Sequence, residues 1–389
     1  MPQEDTRPLE ARTRARLADL DREGLHRTLR PPAGIDLSSN DYLGLATHPV
    51  MIERMAAAVR RDGCGSTGSR LLRGDREDFH EVERQFAIFK GVDRSLYFSS
   101  GYLANQAVLT TLPGEGDVVF SDERNHASLI DGVRLSRATG VVFPHADAAA
   151  LAERIAEHAG AAQRFVVTES LFSMDGDVAP LAEYAALCRS SGAALLVDEA
   201  HAVGIYGDDG SGLIRAMGIG RDVLLSINAA GKALGVGGAF VAGPAWAIDA
   251  LVQGARSFIF STAPPPSTAA ALLAALEIVG HEPERRQRLG SRVRYLRERL
   301  ASAGIDLPAG ESQIIPIIVG DNAVAAVLAS KLQARGFDVR AIRPPSVTPG
   351  TARLRASVNA GVSEAELDRF VAALSQCLTE VGPCSAASS

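Results

Sequence analysis

From residue 94 onward, short apolar runs alternate with segments of helical periodicity. Seven runs read as strands, at residues 95–98, 117–120, 140–143, 165–168, 193–197, 223–225 and 239–241. Strands separated by helices are joined by crossover connections, which produce parallel strands and place helices on both faces of the sheet. The alternation therefore predicts an α/β fold built on a mostly parallel seven-stranded sheet.

The pattern changes at both ends of this region. Residues 9–29 show helical periodicity that Pro31 and Pro32 terminate, and Pro264 to Pro266 open an alanine-rich helix that runs to about residue 280. An arginine-rich helix at 283–303, strands at 314–319, 337–342 and 353–358, and a last helix at 363–378 follow. These segments predict a smaller α/β C-terminal domain.

A chain of 389 residues exceeds what one hydrophobic core normally supports. We therefore expect an N-terminal helix and arm at 1–45, a large domain at 46–280 and a small domain at 281–389. The tail from Cys384 to Ser389 is predicted to be disordered.

Composition excludes several classes of function. A net charge of −6 gives no electrostatic footprint for nucleic acid or for an anionic membrane. Neither a secretory signal nor a membrane-spanning run is visible. Four cysteines (Cys64, Cys188, Cys377 and Cys384) lack the spacing of a metal site or a disulfide framework, so we expect reduced thiols, no metal and a cytoplasmic protein.

Lys232 is one of only three lysines, and it lies among Gly and Ala residues 34 positions after Asp198. A lysine amine attacks carbonyl groups when burial or neighbouring charge lowers its pKa. An aspartate at the end of an apolar run, as Asp198 is, is the standard partner of the pyridine nitrogen of pyridoxal phosphate (PLP). The pair therefore points to a Schiff-base enzyme that uses PLP. A solvated lysine is the ordinary alternative, and it is the interpretation we give to Lys90 and Lys331.

Eight motifs, in order along nearly the whole chain, resemble the α-oxoamine synthases of the aspartate aminotransferase-like (fold type I) PLP enzymes. They are LSSNDYLG at 37–44, GSTGSR at 65–70, SGYLAN at 100–105, NHAS at 125–128, TESLFSMDG at 168–176, VDEAHAVG at 197–204, GK at 231–232 and FST at 260–262. One departure is Ala229, where the family usually has a phosphate-binding hydroxyl; Ser226 or Asn228 is the expected substitute.

The resemblance implies four catalytic residues. Lys232 would hold PLP and remove the α-proton of an amino acid, and Asp198 would keep the pyridine nitrogen protonated. His126 would stack on the ring. His201 would reach the phenolic oxygen of PLP or the carbonyl of an incoming thioester. A polar helix-start residue at His126 and a satisfied buried histidine at His201 are the structural alternatives.

The same resemblance implies further contacts to PLP. Gly101 and Tyr102 would open a helix whose N-terminus faces the phosphate, as free N–H groups favour, and Ser173 would also touch the cofactor. Ser261 and Thr262 would reach the phosphate held by a neighbouring subunit, which implies a homodimer with shared active sites. Otherwise they form only the turn before Pro264.

Substrate-binding residues are implied as well. Arg355 would pair with the carboxylate of the amino acid, Asn40 would lie near that carboxylate, and Arg27, placed on the N-terminal helix, would receive a distal carboxylate. The implied reaction condenses L-alanine with a pimeloyl thioester, carried by coenzyme A or by an acyl carrier protein. Family reactions that join glycine or serine to acetyl, succinyl or palmitoyl groups remain alternatives, as does a catalytically silent partner subunit.

Overall fold

The computed structural model describes residues 7–382, so the predicted disorder of Cys384 to Ser389 lies outside the described residues. Within that range the strands are β1 Ile35–Asp36, β2 Arg94–Phe98, β3 Val118–Asp122, β4 Thr139–Phe143, β5 Arg164–Glu169, β6 Ala194–Asp198, β7 Val223–Ala229, β8 Ala239–Gly243, β9 Ile314–Gly320, β10 Phe337–Asp338, β11 Arg340–Ile342 and β12 Ala352–Ser357.

The helices of the same part of the chain account for most of the remaining residues. They are α1 Arg7–Arg22, α2 Pro49–Asp62, α3 Glu77–Lys90, α4 Gly101–Thr111, α5 Ala127–Leu135, α6 Ala148–Glu157, α7 Leu181–Ser191, α8 Leu213–Ala216, α9 Ala245–Gly254, α10 Arg256–Ile259, α11 Pro266–His281, α12 Pro283–Ser302, α13 Asn322–Ala334 and α14 Glu364–Val381.

The described residues divide into two compact units. The large unit comprises residues 40–173 and 177–288, and the small unit comprises residues 7–39, 174–176 and 289–382. The small unit is therefore discontinuous in sequence: residues 7–39 and 174–176 belong with the C-terminal segment 289–382.

A seven-stranded sheet forms the centre of the large unit. Its order is β2-β8-β7-β6-β5-β3-β4, and β8 runs antiparallel to its two neighbours while the other pairs are parallel. Each of the seven predicted apolar runs overlaps one strand of this sheet, which confirms the predicted fold class. In the pairing of β5 with β6, Glu169 lies opposite Asp198 at the carboxyl ends of the two strands.

Apolar side chains fix the helices of the large unit to this sheet. One core cluster joins strand residues such as Val167 and Leu225 to Val108 of α4, Leu129 of α5 and Ile248 of α9. Fully burying a side chain of this kind stabilises a fold by about 1.5–3 kcal/mol. The carboxyl ends of the strands are thereby held in fixed positions.

The small unit contains two short sheets. β12 runs antiparallel to both β9 and β11, and β1 pairs in parallel with β10. The side chain of Ser363 accepts the backbone N–H of Glu366, and the Glu366 carboxylate accepts the N–H of Ser363, so a capping box begins α14.

Two sequence predictions about local structure were wrong. The first helix ends at Arg22, not at residue 29, because Gly24 adopts a φ of 64° and the Leu25 N–H turns back to the Leu20 carbonyl. Arg27 therefore follows the helix and does not lie on it. Lys90 is buried and forms an ion pair with Glu199, so it is not solvated.

Within residues 7–382, no helix is both long enough and apolar enough to cross a membrane.

Candidate active site

Asp198 is the last residue of β6 and is 5% exposed. One of its carboxylate oxygens accepts the Ala200 N–H at 2.8 Å, and the other accepts the side-chain amide of Asn105 at 2.8 Å. Both contacts stabilise the ionised carboxylate and fix its direction. The structure thus presents a buried, oriented anion at the edge of the sheet.

The amine of Lys232 lies in the loop that follows β7. Its Nζ is 2.9 Å from Nε2 of His201, whose Nδ1 is 2.7 Å from the Tyr42 hydroxyl. The Tyr42 hydroxyl donates to Oδ1 of Asn40 at 2.9 Å, so it accepts from Nδ1–H of His201. In that arrangement Nε2 of His201 accepts a hydrogen bond from the amine, and the chain Asn40–Tyr42–His201–Lys232 is continuous.

His126 is the N-cap residue of α5. Its Nδ1 accepts the Ser128 N–H at 3.2 Å and lies 2.7 Å from the Ser128 hydroxyl, which in turn accepts the side-chain amide of Asn105 at 2.8 Å. A ring nitrogen that accepts a backbone N–H carries no proton, so the ring is the neutral tautomer with its proton on Nε2. Burial lowers the pKa of His126; Asp198 opposes this effect and Lys232 adds to it.

Asn105 links the carboxylate of Asp198 to the hydroxyl of Ser128, which contacts the His126 ring. Its single amide nitrogen donates both to Asp198 and to Ser128, so the carboxylate and the His126 ring are joined through one side chain of α4. Sequence reasoning missed this role, although Asn105 lies inside the SGYLAN motif.

A second carboxyl group, on Glu169, was also missed. It is 3% exposed, and its Oε1 accepts the His126 N–H at 2.7 Å. Burial raises the pKa of Glu169 to about 8, and the charge of Asp198 adds to the rise. The position of Glu169 directly before the Ser-Leu-Phe-Ser segment was the available signal, but nothing in the sequence pairs it with Asp198.

The N-terminus of α4 lies beside the end of β7. Ser100 caps the helix by accepting the Leu103 N–H, and Gly101 and Tyr102 occupy the first turn, as predicted. A Cβ at Gly101 would lie 3.5 Å from the Cβ of Ala229, so Ala229 faces this helix start. The Tyr102 hydroxyl donates to Asp131.

Ser226 and Asn228 do not take the place of Ala229. Successive residues of a strand point to opposite faces, and Ser226 and Asn228 each precede Ala229 by an odd number of positions, so both lie on the other face of β7. There the Asn228 amide donates to the Ser226 hydroxyl at 3.0 Å. Neither side chain therefore lies on the face of β7 that carries Ala229, and their contact with a phosphate stays a prediction.

The remaining predicted residues of the large unit lie in loops. Ser173 is buried in the turn after Leu171, whereas Thr262 is exposed beside Phe260, which is 73% exposed. Ser261 is half-buried and lines a small cleft with Arg70 and Thr262.

Arg355 and Arg27 belong to the small unit. Arg355 lies on β12, is buried, and donates to the Ser357 hydroxyl at 2.7 Å. Its neighbour on the same face, Arg353, forms an ion pair with Asp175. Arg27 donates to the carbonyl of Pro344 at 3.1 Å.

Comparison with known proteins identifies the class. Residues 32–374 match the family described as aminotransferase class I and II, and the chain belongs to that family. Among solved structures, a serine palmitoyltransferase from S. paucimobilis with a bound PLP–myriocin aldimine superposes with a TM-score of 0.90 at 29% identity, covering 97% of this chain and 99% of the other.

Similar proteins of named activity indicate which members of the family this chain resembles. Proteins named 8-amino-7-oxononanoate synthase from Geobacter sulfurreducens and Anaeromyxobacter dehalogenans are 43% and 45% identical, over 94% and 95% of this chain and 97% and 96% of their own lengths. A solved structure of that name from Francisella tularensis has a TM-score of 0.77 at 28% identity and covers 88% of this chain and 97% of its own. The resemblance predicted from the eight motifs is confirmed.

Proposed function

We propose that this protein is a PLP-dependent C-acyltransferase that condenses L-alanine with a pimeloyl thioester, releasing carbon dioxide and the thiol carrier and forming 8-amino-7-oxononanoate. The observation that carries the proposal is the 43–45% identity, along about 95% of the chain, to relatives named for this product. We place the reaction in the cytoplasm, as a step of biotin synthesis.

The residues of the large unit fit PLP. An amine at Lys232, a buried carboxylate at Asp198 and a neutral imidazole at His126 supply the covalent attachment, the partner for a protonated ring nitrogen and a flat surface. The N-terminus of α4 supplies N–H groups for a phosphate. Ser173 is assigned a further polar contact.

When bound, PLP withdraws electrons from the amino acid so that a proton, and later carbon dioxide, can leave the α-carbon. The residues of the chain do the rest. Asp198, fixed by two N–H donors, holds a proton on the pyridine nitrogen. Lys232 takes the α-proton on Nζ. His201 accepts a hydrogen bond from that amine and so orients it. Tyr42 and Asn40 keep the proton of His201 on Nδ1.

Substrate carboxylates are assigned to arginines of the small unit. Arg355 pairs with the carboxylate of alanine, for which a planar guanidinium is suited. Arg27, Arg30 and Arg343 line a cavity of about 420 Å³. Burial and the charges of Arg27 and Arg30 lower the pKa of Arg343. A cluster of positive charge of this kind suits the distal carboxylate of a pimeloyl chain.

A homodimer with shared active sites completes the proposal. Thr262 and Phe260 are exposed, and Ser261 is half-buried beside them. In a dimer these residues would meet the phosphate bound by the partner subunit. Coenzyme A and an acyl carrier protein are both open as the carrier of the acyl group.

The test combines a substrate panel with one variant and its control. Purified protein is assayed with alanine, glycine and serine against pimeloyl, acetyl, succinyl and palmitoyl thioesters, and we expect alanine with pimeloyl to give the highest kcat/KM. Lys232→Ala should abolish both turnover and the visible absorbance of bound PLP, whereas Lys331→Ala should keep both. A higher kcat/KM for serine with palmitoyl, the pair that the name of the serine palmitoyltransferase neighbours contains, would overturn the substrate assignment alone.

A further inference from the structure

Glu169 is a buried acid for which the proposed reaction has no use. It ends β5, where it lies opposite Asp198 in the parallel pairing of β5 with β6. Residues paired in this way project to the same face of a sheet, so two carboxyl groups lie side by side. Both are nearly inaccessible, at 3% and 5% exposure.

The two carboxyl groups have different surroundings. Asp198 accepts two N–H groups, from Ala200 and from the Asn105 amide. Among residues 7–382, the carboxyl group of Glu169 has one N–H donor: its Oε1 accepts the main-chain N–H of His126 at 2.7 Å. Two buried carboxyl groups cannot both ionise without strong repulsion, and the one with more N–H donors keeps the charge. Asp198 is therefore the anion, and Glu169 is the group that retains a proton.

Three charged groups and one backbone N–H act on Glu169 from the elements around it. Asp198 on β6 and Asp122 at the end of β3 favour its neutral form, while Lys232 after β7 and the N–H of His126 before α5 favour its ionised form. With burial included, the balance raises the pKa of Glu169 to about 8. The charges around Glu169 and its smaller number of N–H donors therefore both favour its protonated form.

We propose that Glu169 is a positioning residue that acts through His126: it holds the backbone of that residue in place while it carries a proton, so that the site contains one negative charge, on Asp198, and not two. The part that concerns PLP rests on the proposed function. The placement of a neutral acid beside Asp198 does not.

Two substitutions distinguish the hydrogen-bond acceptor of Glu169 from its charge. Glu169→Gln keeps a carbonyl oxygen for the His126 N–H and is neutral at every pH, so it imitates the protonated acid. Glu169→Ala removes the acceptor. A residue that served only to fill space would not distinguish the two variants in this way.

Stability against pH is the first measurement, made on the full-length protein with and without added PLP. The pKa of an unfolded glutamate is near 4.5 and that of folded Glu169 is about 8, so the folded state binds the extra proton. Glu169 therefore has no destabilising effect on the folded state below pH 4.5. As the pH rises from 4.5 to 8, Glu169 lowers the free energy of unfolding by an increasing amount. The Tm of Glu169→Gln minus that of wild type should rise by about 2 °C or more between pH 5 and pH 8.

Glu83→Gln is the matched control. Glu83 is also buried and also accepts a backbone N–H, from Tyr97 at 2.9 Å, but it is paired with Arg70. We expect its difference from wild type to lack the rise between pH 5 and pH 8. A flat difference for Glu169→Gln would overturn the proposal.

Turnover is the second measurement. With alanine and pimeloyl-CoA, Glu169→Ala should lower kcat/KM at least tenfold, about the effect of one lost buried hydrogen bond, and Glu169→Gln should restore it to within about threefold of wild type. Equal loss in both variants would overturn the positioning role. If wild type itself shows no turnover with these substrates, the proposed function fails, and the Tm measurement still decides the inference.

Discussion

The amine of Lys232 and Nε2 of His201 lie 2.9 Å apart, and the hydrogen bond between them determines which atoms of the site carry protons. Because His201 donates through Nδ1 to the Tyr42 hydroxyl, its Nε2 carries no proton and accepts from the amine. Tyr42 is fully buried, so this orientation is protected from water. The position of Lys232 thus depends on a residue almost two hundred positions earlier in the chain.

Tyr42→Phe tests this dependence. Without the hydroxyl, His201 loses the acceptor for its Nδ1–H, and the tautomer that accepts from Lys232 is no longer favoured. We expect kcat to fall about tenfold, as for one lost hydrogen bond of about 1–1.5 kcal/mol, with a smaller change in KM. Steady-state kinetics across pH 6–9 provide the measurement.

Tyr184→Phe is the control for this variant. Tyr184 is equally buried, but its hydroxyl has no hydrogen-bond partner within the part of the chain that the structure describes. Its removal should leave kcat within about twofold of wild type. Equal effects of the two substitutions would show that the Tyr42 hydroxyl has no special role.

The sequence was sufficient to predict elements but not their long-range contacts. The seven strands and the first turn of α4 follow from local apolar periodicity and helix-start patterns. Lys232 and Asp198 could be proposed as site residues because their residue types and spacing are chemically distinctive. Glu169 and Asn105 were missed because their roles arise from strand register and from packing between distant segments, which no local pattern encodes.

Local patterns also misled in two places. Helical periodicity continues past Arg22, but a left-handed residue at Gly24 ends the helix. Lys90 looks solvated in a polar helix, yet the fold brings it against Glu199, more than a hundred positions away. A buried charge of this kind is tolerated only when paired, and the partner is visible only in the folded chain.

His145 gives the stability of the large unit a second dependence on pH. Its ring lies 2.9 Å from Asp122 and 2.7 Å from Asp177, and these carboxylates raise its pKa to about 9 despite burial. Asp122 also accepts the Arg124 N–H, so it anchors the loop that carries His126.

The sign of the effect follows from linkage. The pKa of folded His145 lies above the unfolded value of 6.5, so its stabilisation is complete below pH 6.5 and is lost as the pH rises through 9. The unfolding free energy of wild type minus that of His145→Gln should decline over this window, by at most about 1.4 kcal/mol per pH unit. Denaturant titrations between pH 6.5 and pH 9 provide the measurement, and a difference that does not change with pH would contradict the prediction.

Ala229→Ser should tighten PLP binding. The side chain faces the N-terminus of α4, where a hydroxyl would add one hydrogen bond to a phosphate. A lower Kd by about threefold to tenfold is expected for one such bond, measured by fluorescence titration of PLP-free protein. Ser226→Ala, on the opposite face of β7, should leave the Kd within about twofold. An unchanged Kd in Ala229→Ser would place the phosphate elsewhere.

Thr262→Ala tests the shared site. If Thr262 reaches a phosphate held by the partner subunit, the variant should remain dimeric by light scattering but lose PLP about tenfold faster on dilution. Thr379→Ala, an exposed position on α14, serves as the control. An active monomer of the wild-type protein at assay concentration would contradict the dimer.

Arg27→Ala tests the choice of acyl chain. The contact of Arg27 in the structure is to the Pro344 carbonyl, so no carboxylate among residues 7–382 neutralises it there. Loss of a charge-assisted contact to the distal carboxylate should raise the KM for pimeloyl-CoA about tenfold or more and lower kcat less. Heptanoyl-CoA has the same chain length and no carboxylate, so its KM should not change.

Arg14→Ala, on the exposed face of α1, controls for removal of a positive charge. If Arg27→Ala weakens both thioesters equally, Arg27 contributes general binding and the distal carboxylate is recognised by another residue.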